Sequence, residues 1–112
     1  IDENYDSFSF AVSAYTILTG THPFSNCKLL PPYNTDEYAS ITNCIKAGLS
    51  PIGEKRNHTQ KVTEYDLHKN LQRLPASLQN MFIMAFNSTN RPQMKAWKEA
   101  LKSAIVQLDN QL

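Results

Sequence analysis

Two cysteines, three histidines and a scatter of carboxylates are the side chains of this 112-residue chain with the widest chemical range. Cys27 and Cys44 stand with sixteen residues between them. Two thiols can oxidise to a disulfide, yet one pair makes no framework. The spacing fits no zinc knuckle, and no histidine falls at a ligand offset from either cysteine, so free thiols are expected. His22, His58 and His68 are dispersed, and none has a fixed nucleophile partner along the chain. Glu37, Glu64 and Asp66 are dispersed too, whereas acid–base work needs carboxylates gathered around one bond. No Gly-x-Ser-x-Gly elbow and no Gly-x-Gly-x-x-Gly loop occurs, and three glycines are too few to cradle a phosphate. Lys95, Lys98 and Lys102 could be read as a phosphate-binding strip, but a solvated helix face is the simpler reading. Asn57-His58-Thr59 and Asn87-Ser88-Thr89 match the N-glycosylation pattern, which is short and frequent by chance. The first residues are acidic and polar, unlike a signal peptide, so both sequons are set aside. No catalytic, metal-binding or cofactor-binding residue is assigned.

Composition narrows the class. Hydrophobic residues make up 41% and charged residues 19%, ordinary for one domain of this length with a modest core. Eleven Lys and Arg against ten Asp and Glu leave a net charge of +1, which argues against nucleic acid and acidic membranes as partners. The longest strictly apolar run, Met81 to Phe86, is far short of the roughly 20 residues of a membrane helix. A cytoplasmic protein is expected.

Four helices must position whatever chemistry exists. The first is expected over 6–19, capped by Asp6 and stopped by Gly20. From Phe8 to Leu18 it is apolar on nearly every side, a pattern suited to the middle of something larger. Were it to lie at the periphery, with water along one side and polar atoms there, the family identification that hangs on this enclosure would collapse. Ser25 to Thr35 reads as loop because Pro31-Pro32 excludes helix. A second helix is expected over 36–47, ended by Gly48 and Pro51. The stretch 48–74 reads as an irregular connector with a helical turn around Tyr65, Leu67 and Leu71. The third helix is expected over 76–87, after Pro75, and the fourth over 92–110. Met94, Trp97, Leu101, Ala104, Ile105 and Leu108 give the fourth a clean apolar stripe. No convincing strand pair is visible, so the fold class is all-α, a single domain over 1–112.

Residues 6 to 24 resemble the long central helix of the large lobe of eukaryotic-like (Hanks-type) Ser/Thr protein kinases, usually Asp-x-Trp-Ser-Phe-Gly-Val-x-x-Tyr-x-Leu-Leu-Thr-Gly-x-x-Pro-Phe. Matching are Asp6, Ser9, Phe10, Val12, Tyr15, Leu18, Thr19, Gly20, Pro23 and Phe24; Phe8 replaces Trp and Ala11 replaces Gly. Leu74-Pro-Ala-Ser-Leu, with Met81-Phe82 and Ala85-Phe86, then Asn90-Arg91-Pro92 and Trp97, look like the end of that lobe. The Ala-Phe ending and Trp97 are similar to bacterial kinase-like proteins that carry helix-hairpin-helix or von Willebrand-type modules. The likeness covers about the first quarter and the last third of the chain; 25–73 carries no diagnostic motif.

The resemblance implies a truncated lower half of a kinase large lobe. It assigns scaffolding roles to two residues. Asp6 would accept hydrogen bonds from the catalytic-loop backbone, and Arg91 would pair with the glutamate of the Ala-Pro-Glu motif; without the resemblance they read as a helix cap and a loop cation. The Gly-rich loop, the Val-Ala-x-Lys strand, His-Arg-Asp and Asp-Phe-Gly are all missing from these residues. ATP and magnesium would therefore belong to the parent domain, and this chain alone would not transfer phosphate. Its partners would be the remainder of the kinase domain and a protein substrate or regulator met by the second-helix region. The alternative is a pseudokinase remnant or free-standing helical interaction module, dimerising through an uncovered first helix. A chance four-helix bundle is disfavoured, because it calls for an amphipathic first helix.

Overall fold

The computed structural model describes residues 3–25, 27–61 and 66–111. Its four α-helices are α1 (Glu3–Thr19), α2 (Ile41–Ala47), α3 (Ala76–Ala85) and α4 (Met94–Gln111). Two short strands, β1 (Cys27–Leu29) and β2 (Thr59–Lys61), form an antiparallel ribbon with Cys27 opposite Lys61 and Leu29 opposite Thr59. The chain is predominantly helical, and the ribbon corrects the all-α expectation. Three-residue strands carry too little alternation to be seen in sequence, and nearly thirty residues separate them.

An aromatic cluster organises the interior. Tyr15 of α1 meets Phe86 edge-on at 5.3 Å and Phe82 of α3 at 5.6 Å. Phe82 continues to Trp97 of α4 at 4.9 Å, and Trp97 to Phe10 at 5.5 Å. On the other side, Phe86 contacts Phe24 at 5.8 Å and Phe8 at 6.3 Å. Such edge-to-face pairs contribute about 0.5–1.5 kcal/mol each beyond the area they bury. Trp97 is fully buried, and its Nε1 has no hydrogen-bond partner, so shape rather than polarity fixes it.

Helix α1 is not enclosed. Ser7, Ala11, Tyr15 and Thr19, at steps of four, form its buried face. Ser9, Ser13 and Thr16 face outward, and Ile17 is 82% exposed. The all-round apolar reading of this helix is thereby corrected, because three small hydroxyl residues mark an open side. The helix also begins at Glu3, so Asp6 lies exposed in its first turns rather than at its cap. At the far end Gly20 adopts φ +90° and donates to the Thr16 carbonyl, the expected stop.

The second helix is split. A 3-10 turn at Asp36–Ala39 precedes extended Ser40, and only then does α2 begin. Asn43 Nδ2 donates to the Glu37 carbonyl at 2.6 Å, holding the turn against α2 across that break. The connector is more ordered than expected. A 3-10 turn at Arg56–His58 leads into β2, and a 3-10 run covers Leu67–Arg73; Tyr65 is outside the described residues. Asp66 caps that run by accepting from His68 N at 3.0 Å. Helix α3 stops two residues early and α4 starts two residues late relative to expectation, after Asn90 at φ +58°. In α4, Trp97 and Ala104 are buried as the stripe predicts, but Leu101 and Ile105 of that stripe remain 37% and 57% exposed, as does Val106 beside them at 57%.

Gly48 ends α2 at φ +71°, its N–H reaching the Cys44 and Ile45 carbonyls. A Cβ there would lie 2.7 Å from Ser88 N and 3.1 Å from Glu54 Oε1. Both the backbone conformation and the neighbouring loop therefore demand glycine. Gly48→Ala is expected to lower stability by about 1–3 kcal/mol, read as a lower urea midpoint; an unchanged midpoint would contradict this packing.

Candidate functional site

Arg91 joins three parts of the fold. It follows α3 by six residues, where Asn90 in the left-handed region and buried Pro92 turn the chain toward α4. Its Nε donates to the Asn87 carbonyl at 2.8 Å and its Nη2 to the Ile45 carbonyl of α2 at 2.9 Å. Its guanidinium carbon lies 4.4 Å from the centroid of Phe8 in α1, a cation–π contact. Partial burial pulls its pKa down, since the charged form loses water. A guanidinium has five N–H donors, and the acceptors described for Arg91 are neutral carbonyls. Beside it opens a cleft of about 410 Å³ lined by Ser88, Thr89, Asn90, Arg91 and Gln93. A positive group with unspent donors at a polar cleft suits a carboxylate or another anion.

The wall of this cleft is braced from the connector. Glu54 accepts from Ser88 N at 3.0 Å and Ser88 Oγ at 2.7 Å, while Glu54 N donates to Asn87 Oδ1 at 2.8 Å. The hydrogen bonds from the Ser88 backbone and hydroxyl, in that order, hold the exposed Glu54 carboxyl below the usual range. With a depressed pKa, the stabilisation from this clamp is complete above the ordinary glutamate pKa and is lost as pH falls through the lowered folded value. Asn87 of the second sequon is thus engaged in the fold through its side-chain oxygen, and Asn57 of the first is exposed.

A second polar cluster lies beneath α1. Tyr15 Oη and His68 Nδ1 are 2.5 Å apart, and His68 Nε2 is 2.7 Å from the Ser25 carbonyl. A carbonyl only accepts, so Nε2 carries the proton and the Tyr15 hydroxyl donates to Nδ1 in the neutral imidazole. Both residues are buried. Desolvation first, and then the negative charge of Asp66, push the Tyr15 phenol well above its ordinary value. Asn70 Nδ2 donates to the Thr19 carbonyl at 2.8 Å, so the 3-10 run both covers α1 and satisfies its last turn. This cluster reads as structure.

The remaining chemical candidates do not gather. Among the described residues no three His, Cys, Asp or Glu side chains could share a metal ion. His22 accepts from Phe24 N at 3.1 Å, and burial lowers its pKa. His58 packs on Tyr33 at 5.1 Å. Lys95, Lys98 and Lys102 are exposed along α4. Asp6 and Arg91, the two residues singled out by the sequence, have different surroundings: Asp6 faces solvent and Arg91 is tucked against Phe8. Sequence reasoning missed the contribution of Phe8 to Arg91 and of Tyr15 to His68, since both contacts span more than fifty residues. No described helix is long and apolar enough to cross a membrane.

Compared with family models, curated proteins and solved structures, the chain gives no match.

The Tyr15–His68 bond sets an alkaline limit. A phenol whose folded pKa lies above its unfolded value of about 10 contributes stability that is complete below about pH 10 and lost as pH rises through the folded value. Tyr15→Phe is expected to cost about 1–2 kcal/mol at neutral pH, because it strands Nδ1, and to flatten the loss of stability above about pH 10. Urea melts of both proteins across that range check it, and parallel alkaline declines would contradict it.

Proposed function

We propose that this chain is the C-terminal part of the large lobe of a Ser/Thr protein-kinase-like domain, and that its task is scaffolding. The observation that carries the reading is the convergence on Arg91. The two motif-bearing segments, one opening with Asp6-Ser-Phe8 and the other running through Asn90-Arg91-Pro92, lie at opposite ends of the sequence. Their residues Phe8 and Arg91 nevertheless stack at 4.4 Å, with Arg91 oriented by two carbonyls beside an open polar cleft. That arrangement supports a cation held ready for a carboxylate supplied by another segment. In a kinase lobe the carboxylate is the glutamate of Ala-Pro-Glu, and the pair closes the activation segment. The exposure of Asp6 on α1 supports its availability to catalytic-loop amides. ATP and magnesium fall to the parent domain, whose phosphotransfer machinery these residues lack. The open, polar side of α1 is the outcome set out above as counting against this identification, and it removes the ground for disfavouring a chance helical bundle. What still supports the reading is the order of the motifs and the Arg91 contact.

A second reading, a helical interaction module, is favoured by one observation. Ile17 at 82%, Leu18 at 47% and, on α4, Ile105 and Val106 at 57% each leave apolar side chains in water. Such residues suit a protein partner or a second copy of the chain.

Binding of a synthetic peptide containing Ala-Pro-Glu, measured by calorimetry, tests the first reading. Exchange of its glutamate for glutamine, or Arg91→Ala in the chain, is expected to weaken binding roughly ten- to a hundredfold, as for a charge-assisted pair worth about 1.5–3 kcal/mol. Equal affinities for the glutamate and glutamine peptides contradict it. Sedimentation tests the second. Dimerisation that Ile17→Ser abolishes favours a self-associating module, and a concentration-independent monomer counts against one.

A further inference from the structure

We propose that Cys27 and Cys44 form an internal disulfide by exchange with a small-molecule disulfide of the glutathione class, a redox latch tying β1 to α2. Both thiols line one cleft of about 240 Å³, whose other walls are Phe24, Ser25, Leu29, Tyr38, Ala39 and Ile41. Cys27 enters from the ribbon, half-buried, and Cys44 from the middle of α2, buried, with its Sγ–H directed to the Tyr38 carbonyl at 3.2 Å. No third metal ligand accompanies them among the described residues.

Burial of the two thiols penalises a thiolate or a charged metal–thiolate complex, whereas a disulfide is neutral. Burial raises both thiols, Cys27 to about 11. The latch is therefore slow to form at neutral pH and faster as the pH rises, because only the thiolate attacks. The exchange balances. One thiolate attacks a sulfur of the oxidised small molecule and releases its first thiolate, leaving a mixed disulfide. The second protein thiolate attacks the protein sulfur of that bond and expels the other small-molecule thiolate. Two protein thiols are oxidised, one disulfide is reduced, and the two protons pass to the two released thiols. The new bond would close the segment from β1 through the Asp36–Ala39 turn to α2, fixing the part of the surface that the 3-10 turn and α2 present.

The test uses the reduced full chain incubated with oxidised glutathione at about pH 8.5, followed by intact-mass measurement and non-reduced peptide mapping. The expected result is a loss of two hydrogens, a peptide linking Cys27 to Cys44, a thermal midpoint raised by roughly 10 °C, and full reversal by dithiothreitol. Two thiols still open to alkylation, a persistent glutathione adduct, or a disulfide between two chains would each overturn the latch.

Discussion

The edge-to-face meeting of Tyr15 with Phe86, at 5.3 Å, is the contact on which the other packing in this chain depends. It fixes α1 against the end of α3, and each ring then recruits others. Phe82 and Trp97 extend the cluster to α4, while Phe24 and Phe8 extend it toward the chain entering β1. Because aromatic pairs prefer defined geometries, the cluster sets angles between elements as well as burying area. Position 86 serves a second purpose, since the chain turns there from α3 into the loop that carries Asn87, Ser88 and Arg91. A small shift of Phe86 would therefore move both the core and the polar cleft.

Arg91 stands at the edge of that cluster, and its surroundings explain why a cation is tolerated there. One face lies on the Phe8 ring, two donors reach carbonyls, and the remaining side opens on a polar cleft. A buried guanidinium without partners would cost several kcal/mol; this one is only partly buried and has partners. The connector braces the same loop through Glu54 and Ser88, so the candidate site depends on a stretch of sequence with no motif of its own. The Tyr15–His68 bond performs a comparable duty beneath α1, fastening the 3-10 run to the core by a directional contact.

The legible parts of the fold were those whose cause is local. Gly20 and Gly48 stop helices because each adopts a positive φ that other residues resist, and both stops were visible in sequence. Trp97 and Ala104 announced the buried face of α4 by their spacing. Arg91 was singled out through a family likeness, but its contact with Phe8 spans most of the chain and leaves no spacing to read. The ribbon stayed hidden because Cys27–Leu29 and Thr59–Lys61 are three residues each, with their pairing set by the fold around them. Periodicity misjudged α1: Ser9, Ser13 and Thr16 lie three and four residues apart among apolar neighbours, and an average over the helix conceals that strip. Asp6 was misassigned as a cap because the helix extends one turn further toward the N-terminus than its apolar run.

The central claim is that Arg91 and Asp6 belong to a kinase-like lobe whose nucleotide-binding machinery is encoded outside these residues. Sequencing the transcript through the region preceding the Ile1 codon addresses it most directly. The account predicts, in frame and within a few hundred codons, a Gly-rich loop, a Val-Ala-x-Lys strand or a degenerate form of it, and an Ala-Pro-Glu segment to meet Arg91. An upstream region that encodes no nucleotide-binding lobe and no such glutamate would contradict it.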